Sequence, residues 1–417
     1  MANDINLDTD SMIKVCKDDK RRFLLSCFAC DPGAGSEPFV GWQWVSRVYA
    51  GQHRVVLTRT HHHAVLHKYE GETLRFRFFD LPFCANLDHR HRLMKLYYIF
   101  WQVLVVPYAA VIIWRERITD IHHITYNAVD FPGLLWLMLW QRFIWGPVGG
   151  GQTPPEVLRE YYGDGWRVQR LRSFMKRCLR YNPFVRGAIA RASLVLAANS
   201  DTYRRIEPLM GKRKQLKLML ETAVVDIVAR DHTPCVPLQI IWVGRFELRK
   251  APQMIVEVAR ALDASHPGCF RFRMIGGGEM LEKIRAQSAS CANLEVLGEV
   301  SFDQMRGIYV ESDCLAFTSL QDTSGNVVLE ALAYGLPVIA LNHQGAADIL
   351  SSGGGILIDI GPPDRVVADF AAACVRLLDA REFTTLSQQA TENIRNNHTW
   401  MVKANHWKIL LQTYLSL

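Results

Sequence analysis

Asp322-Thr323-Ser324-Gly325-Asn326-Val327-Val328-Leu329-Glu330-Ala331-Leu332-Ala333-Tyr334-Gly335-Leu336-Pro337-Val338-Ile339-Ala340 carries two carboxylates eight positions apart. A small glycine-bearing turn follows the first. A helical run holds the second, and a Gly-Leu-Pro break leads into an apolar strand. A helix starting near Gly325 would leave the amides of Asn326, Val327 and Val328 free at the positive end of its dipole. Such amides suit a diphosphate, and the two carboxylates suit the hydroxyls of a sugar and a ribose. The plain structural alternative makes Asp322 or Ser324 an N-cap.

Upstream, Leu238–Val243 reads as a strand, followed by Gly244-Arg245-Phe246-Glu247-Leu248-Arg249-Lys250-Ala251-Pro252 and a helix. Arg245 and Lys250 then stand at a strand's carboxyl end, where cations would stabilise charge on a departing diphosphate. A solvated charged turn is the bland alternative. Ile275-Gly276-Gly277-Gly278-Glu279 again joins a strand to a helix. Its glycines permit close approach to a phosphate or base, or simply a tight turn. Leu297-Gly298-Glu299-Val300 ends the next strand.

The alternation extends along the whole chain. Predicted strands in the first half are 23–29, 54–59, 74–79, 121–126, 143–145 and 194–198, with helices at 40–49, 89–118, 154–161 and 165–192. Residues 221–237 read as a linker. In the second half, strands are predicted at 238–243, 270–275, 294–296, 314–318 and 337–341, and helices at 251–264, 279–288, 302–310, 328–334 and 346–350. Strand–helix alternation predicts parallel, doubly wound sheets. The expected organisation is a Rossmann-like domain at 1–225 and a second at 226–399, with a helix at 400–417 packing back on the first. Ligands of such sheets bind at the strands' carboxyl ends.

Taken in order, the G-R-x(4)-K turn, the glycine turn, the Glu299-Val300 strand end and the E-x(7)-E-like element resemble retaining glycosyltransferase family 4. The resemblance is to bacterial enzymes of exopolysaccharide and cell-surface glycan assembly. It implies an α/β chain of GT-B architecture, two doubly wound Rossmann-like domains facing across a cleft. By motif, Arg245 and Lys250 would bind the donor diphosphate, Glu330 the ribose and Asp322 the transferred sugar. The amides of Asn326, Val327 and Val328 would add to the clamp, Gly277 would lie close to the donor, and Glu299 and Val300 would lie beside the nucleobase. Asp322 departs from the usual Glu and shortens the reach by about one methylene. The resemblance also implies that the leaving phosphate takes the acceptor's proton, and that neither metal nor cofactor is needed beyond the nucleotide-sugar co-substrate.

The first half offers a matching loop, Asp31-Pro32-Gly33-Ala34-Gly35-Ser36-Glu37-Pro38, after the first strand. Gly33 and Gly35 would let it approach a donor phosphate, and Glu37 could face an acceptor. An ordinary turn is the alternative. Trp145-Gly146-Pro147-Val148-Gly149-Gly150-Gly151 matches a run in exopolysaccharide-building relatives. Alternation puts His122 and His123 on opposite faces. His123, with Thr125, is the candidate to touch sugar or acceptor, against a packed histidine. His61-His62-His63 lacks carboxylate company, so no metal site is expected.

Apolar residues make up 49% and charged residues 21%, with net charge +7 and ten cysteines. This is globular composition. The cysteines sit mostly in apolar runs, which suggests a reducing compartment. Cys27 and Cys30 form a C-x-x-C within a strand, a weak redox signal. The first twenty residues are polar and read as a loose tail without a secretory signal. Tyr97–Trp114 has no charged residue and contains Pro107. It fits a buried helix, a membrane-surface helix or a marginal span. Residues 165–200 hold Arg167, Arg170, Arg172, Lys176, Arg177, Arg180, Arg186 and Arg191 and no acid. Apolar positions interleave with them, as in a helix lying on an anionic membrane. A solvated basic face is the alternative, and no nucleic-acid motif accompanies the patch.

The expected activity is retaining transfer of a sugar from a nucleotide sugar to a polyprenyl-linked or other glycan acceptor, at the cytoplasmic face of a membrane. The rivals are a GT-B nucleotide-sugar epimerase, which needs no acceptor, and a non-catalytic glycosyltransferase-like subunit.

Overall fold

A computed structural model describes residues 21–81, 93–211, 215–228 and 233–415. The charged tail with Cys16, Cys84, the start of the predicted 89–118 helix, part of the linker and the last two residues lie outside them. The chain divides into two compact units. One is Met1–Tyr126 with Gly133–Phe143, and the other Asn127–Pro132 with Ile144–Leu417.

The first unit holds β1 (Arg22–Ser26), β2 (His53–Thr58), β3 (Leu74–Phe78) and β4 (Asp120–His123), in the order β3-β2-β1-β4. All pairs are parallel, and Leu24 lies opposite Val55 and Ile121. β1 is buried at four of its five residues because both faces of a parallel sheet are covered. The Met94–Glu116 helix buries Trp101, Val105, Ala109 and Ile112 at helical spacing, and exposes Phe100, Val103 and Trp114. Pro107 lies inside it. Residues Leu96–Glu116 are long and apolar enough to cross a membrane, and 44% of the most apolar window is buried.

The second unit holds most of β5 (Arg142–Val148), with β6 (Ala192–Ala197) and β7 (Gln215–Leu218) beside it. It also holds a six-stranded sheet of β8 (Leu238–Val243), β9 (Phe270–Ile275), β10 (Leu294–Gly298), β11 (Cys314–Phe317), β12 (Val338–Leu341) and β13 (Gly355–Ile358). Its order is β10-β9-β8-β11-β12-β13, and all its pairs are parallel. The Pro252–Ser265 helix starts on proline, whose missing N–H costs nothing there, and packs Met254, Ile255, Val258 and Leu262 onto this sheet's core. Cutting Leu262 to Ala costs about 2–5 kcal/mol for such a site.

Three features differ from the sequence expectations. The predicted 165–192 helix is broken. Asn182 accepts from the amides of Phe184 and Val185 at 2.9 and 3.4 Å and starts a new helix, Pro183–Arg191. β7, β13 and the helices Pro363–Arg376 and Ala380–Asn397 were not predicted. The linker's described part is fastened: Val224 pairs with Thr399, and Val228 N donates to Ala333 O at 2.9 Å. Among the described cysteines all are free. Burial raises the thiols of Cys27 and Cys30, the opposite of what a reactive thiolate needs.

The Trp400–Leu415 helix lies against β6, and the Lys217 ammonium sits 4.5 Å above the Tyr414 ring. Lys403 is buried in this packing and donates to Leu220 O. Burial lowers its pKa from 10.5 to about 7, with Glu221 working the other way. The unfolded chain therefore binds more protons between about pH 7 and 10, so this lysine makes stability rise with pH across that window. Denaturant melts of wild type and Lys403→Met from pH 6 to 10 are expected to show a shallower rise in the variant. An identical slope would refute the assignment.

Candidate functional site

The Asp322 loop leaves β11 and turns into the Asn326–Ala333 helix at Gly325, whose φ of 69° suits glycine. Asp322 Oδ2 accepts from Lys250 Nζ, and its backbone N donates to Gln344 Oε1 at 2.8 Å. Lys250 also lies 5.3 Å from the Phe317 ring centre. Burial lowers the lysine's pKa, and Asp322 opposes that shift. The Lys250 turn is knitted to the Asp322 loop: Thr318 Oγ1 donates to Lys250 O at 2.8 Å, and Leu320 N donates to Arg249 O at 2.8 Å. Lys250 and Asp322 thus form an ion pair, a contact the sequence did not foretell. Arg245 behaves differently. Its side chain is 71% exposed and pairs with Glu247 at 2.7 Å, while Glu247 also holds Arg249 at 2.9 Å.

One amide of the expected clamp is taken, because Val328 N donates to Gly325 O at 2.8 Å. Asn326 and Val327 are the first two helical positions, so their amides have no acceptor within the helix. Ser324 Oγ lies 2.8 Å from Glu221 Oε1, a contact that ties this loop to the linker. Glu330, near the far end of the helix, accepts from Tyr309 OH at 2.8 Å. Desolvation raises the Glu330 carboxyl above its ordinary value, and the Tyr309 hydrogen bond lowers it. Tyr309 stacks on Tyr334 at 5.1 Å.

The glycine turn owes its composition to backbone contact. A Cβ on Gly276 would collide with the Gly244 carbonyl, and one on Gly278 with the Phe246 backbone. Phe246 N donates to Gly277 O at 2.9 Å. On Gly277 the same atom would strike the Glu299 carboxylate, so Gly277 and Glu299 are neighbours. Val300 is partly buried beside them in sequence.

In the first unit, Gly33 N donates to Asp31 Oδ1 at 2.8 Å, and Gly35 is open on its Cβ side. Glu37 accepts from Tyr126 N at 2.6 Å, which ties the loop to the end of β4. Burial raises the Glu37 carboxyl, and the Tyr126 bond lowers it. The structure packs His123 away from solvent: it is 1% exposed, with Nε2 3.0 Å from Tyr98 OH and Nδ1 3.1 Å from Ser26 Oγ. Burial lowers its pKa to about 3, so it stays neutral. His122 is packed too, 2.7 Å from Tyr49 OH, and Thr125 accepts from Ala29 N at 3.2 Å. An accessible His123 was the expectation; both histidines instead serve the packing of β4. Among the described residues no group of three or more His, Cys, Asp or Glu side chains could hold a metal.

Two parts of the site had no sequence signal. Thr323 is a hub within the second unit. Its Oγ1 accepts from Gln152 Nε2 at 2.9 Å, its carbonyl accepts from Asn199 Nδ2 at 2.8 Å, and its side chain fills the space beside Gly149. Second, the Glu156–Gly165 strap puts Leu158, Tyr161 and Tyr162 into the core that holds Trp242 and Phe246. Tyr161 OH donates to Glu257 Oε2 at 2.7 Å, and a Cβ on Gly165 would meet Leu248. This strap braces the turn that carries Lys250.

Residues 237–380 match the family model described as Glycosyl transferases group 1. The chain is 32% identical over 187 residues to D-inositol 3-phosphate glycosyltransferase of Rhodococcus opacus, covering 42% of this chain and 40% of that one. It is 27% identical over 206 residues to the lipopolysaccharide core biosynthesis glycosyltransferase LpsE of Rhizobium meliloti, covering 46% and 58%. The chain therefore spans less than two thirds of the length of these relatives. The structure is similar to Anabaena HepE crystallised with UDP and glucose, with a TM-score of 0.60 and 14% identity over 94% of this chain and 100% of that one. The chain thus has the GT-B fold, two parallel-sheet α/β domains, and its residues 237–380 match the group 1 glycosyl transferase domain.

Proposed function

We propose that this protein is a retaining glycosyltransferase that moves a sugar from a nucleotide donor to a glycan or polyprenyl-linked acceptor. One observation carries the reading: the buried Lys250 ammonium meets Asp322 immediately before the amino end of the Asn326–Ala333 helix. A diphosphate brought to this spot would meet a cation and two helix amides together. Such preorganised charge lowers the barrier to departure of the diphosphate. Glu330, fixed by Tyr309, would hold the ribose, with Glu299 and Val300 beside the base and Asp322 reaching the sugar.

The sugar C1–O bond to phosphate breaks and a C1–O bond to the acceptor forms on the same face. The acceptor's proton goes to the departing phosphate oxygen. Asp322 is engaged by Lys250 and Glu330 by Tyr309, which supports the phosphate as base. This reaction needs no metal.

The acceptor side would meet an anionic membrane at the cytoplasmic face through the Trp166–Arg177 helix. No residue of that helix is buried, and Leu171, Phe174 and Met175 are exposed among its arginines. Lys176 is excepted, since it donates to Gln152 O at 2.7 Å.

Three outcomes are expected. Lys250→Ala lowers kcat about 10²–10³-fold, as for loss of one oxyanion donor, and Glu330→Gln raises KM for the donor about tenfold or more. Normal kcat in the first with normal donor KM in the second would remove the donor site from this helix. Proton NMR of the first-formed product should show the donor's anomeric configuration; an inverted anomer would overturn retention. Arg167→Glu, Arg170→Glu and Arg177→Glu combined should release the protein from anionic liposomes in flotation, since each basic residue contributes about 1 kcal/mol. Unchanged flotation would refute the membrane surface.

A further inference from the structure

A cavity of about 100 Å³ opens at the amino ends of β1, β2 and β3, in the first unit. That end is opposite the strand ends from which the Asp31–Pro38 loop springs. Arg22, His53, Arg54, Glu72, Arg75 and Glu116 line it. Arg22 lies opposite His53 in the sheet, and Arg54 opposite Leu74, so the three strands deliver these side chains to one rim.

Arg54 is the unusual member. It is only 8% exposed. Its Nη1 donates to Gln52 O at 2.8 Å, but its Nε has no hydrogen-bond partner among the described residues. No carboxylate offsets its burial, which lowers its pKa to about 10. Of the two acids on the rim, Glu116 is held by Arg75 at 2.9 Å and by Arg77. Three guanidinium groups thus face two carboxylates, one of them already paired twice. A buried cation without its counter-charge is costly, and an unmade hydrogen bond adds to that cost. A small oxyanion would relieve both, because guanidinium donors match its geometry.

We propose that this cavity binds one phosphate-sized oxyanion, free phosphate or the phosphate of a monoester, with Arg54 as its central ligand and Arg22 and Arg75 at its rim. The site is independent of the donor site and does not rest on sugar transfer.

Calorimetric titration of the full chain tests this, using orthophosphate and phenyl phosphate at constant ionic strength. It is run in wild type and in Lys250→Ala, which removes the cation of the proposed donor site. Lys250→Ala should bind at least one probe saturably at 1:1, and the wild type should show that same binding event. Arg54→Met should weaken that binding at least tenfold, the loss expected for a charged hydrogen bond, and should melt no lower than wild type without phosphate. If Arg54→Met fails to fold, Arg75→Gln takes its place, with several-fold weaker binding expected. The stronger probe identifies free phosphate or ester. Absence of saturable binding by both probes, or binding that ignores the arginine substitutions, overturns the site.

Discussion

The ion pair between Lys250 and Asp322 governs the geometry of the second unit's site. Both side chains are largely withdrawn from water, and a cation and a carboxylate placed so must satisfy each other. Much of the surrounding structure serves that meeting. Thr318 and Leu320 bond the Lys250 turn to the Asp322 loop, Gln344 holds the Asp322 amide, and the Glu156–Gly165 strap packs behind the turn. On the proposed function, an anion arriving there would compete with Asp322 for an ammonium that is already largely desolvated.

Glycine has two separate uses in this chain. At Gly325 it supplies a left-handed backbone that starts the helix one residue after Ser324. At Gly276, Gly278, Gly149 and Gly345 it lets one loop rest directly on another's backbone or side chain. The second use brings the two strand-end turns, 244–246 and 276–278, into contact and holds Glu299 against Gly277. Composition that looks made for a phosphate is here at least equally a matter of loop packing.

Five of the six strands of the second sheet were legible as largely apolar runs between turn residues, and the Pro252–Ser265 helix carries apolar positions at i, i+4 and i+8. The placement of Lys250 and Asp322 after strands was legible from order along the chain, whereas their ion pair was not. What escaped was mostly long-range. Nothing local in Tyr161 or Gln152 says that they will reach residues far along the chain. His123 was misjudged because strand alternation tells which face a side chain takes, but not how deeply the next layer covers it; Tyr98, from a helix, does that covering. The Ala380–Asn397 helix had a readable start, since Asp379 accepts from the amides of Arg381 and Glu382. The break at Asn182-Pro183 had one too.

The Val224–Thr399 bridge joins two passages of the chain that run side by side, one leaving β7 and the other entering the Trp400–Leu415 helix. Lys403 fastens that helix to Leu220 within the same few residues. Sequence neighbours of β7 and of the final helix are therefore mutual supports. Loosening either exposes the other, so this seam opens cooperatively. Amide exchange at Val224 and Trp400 should report one shared opening event rather than two separate fraying ends.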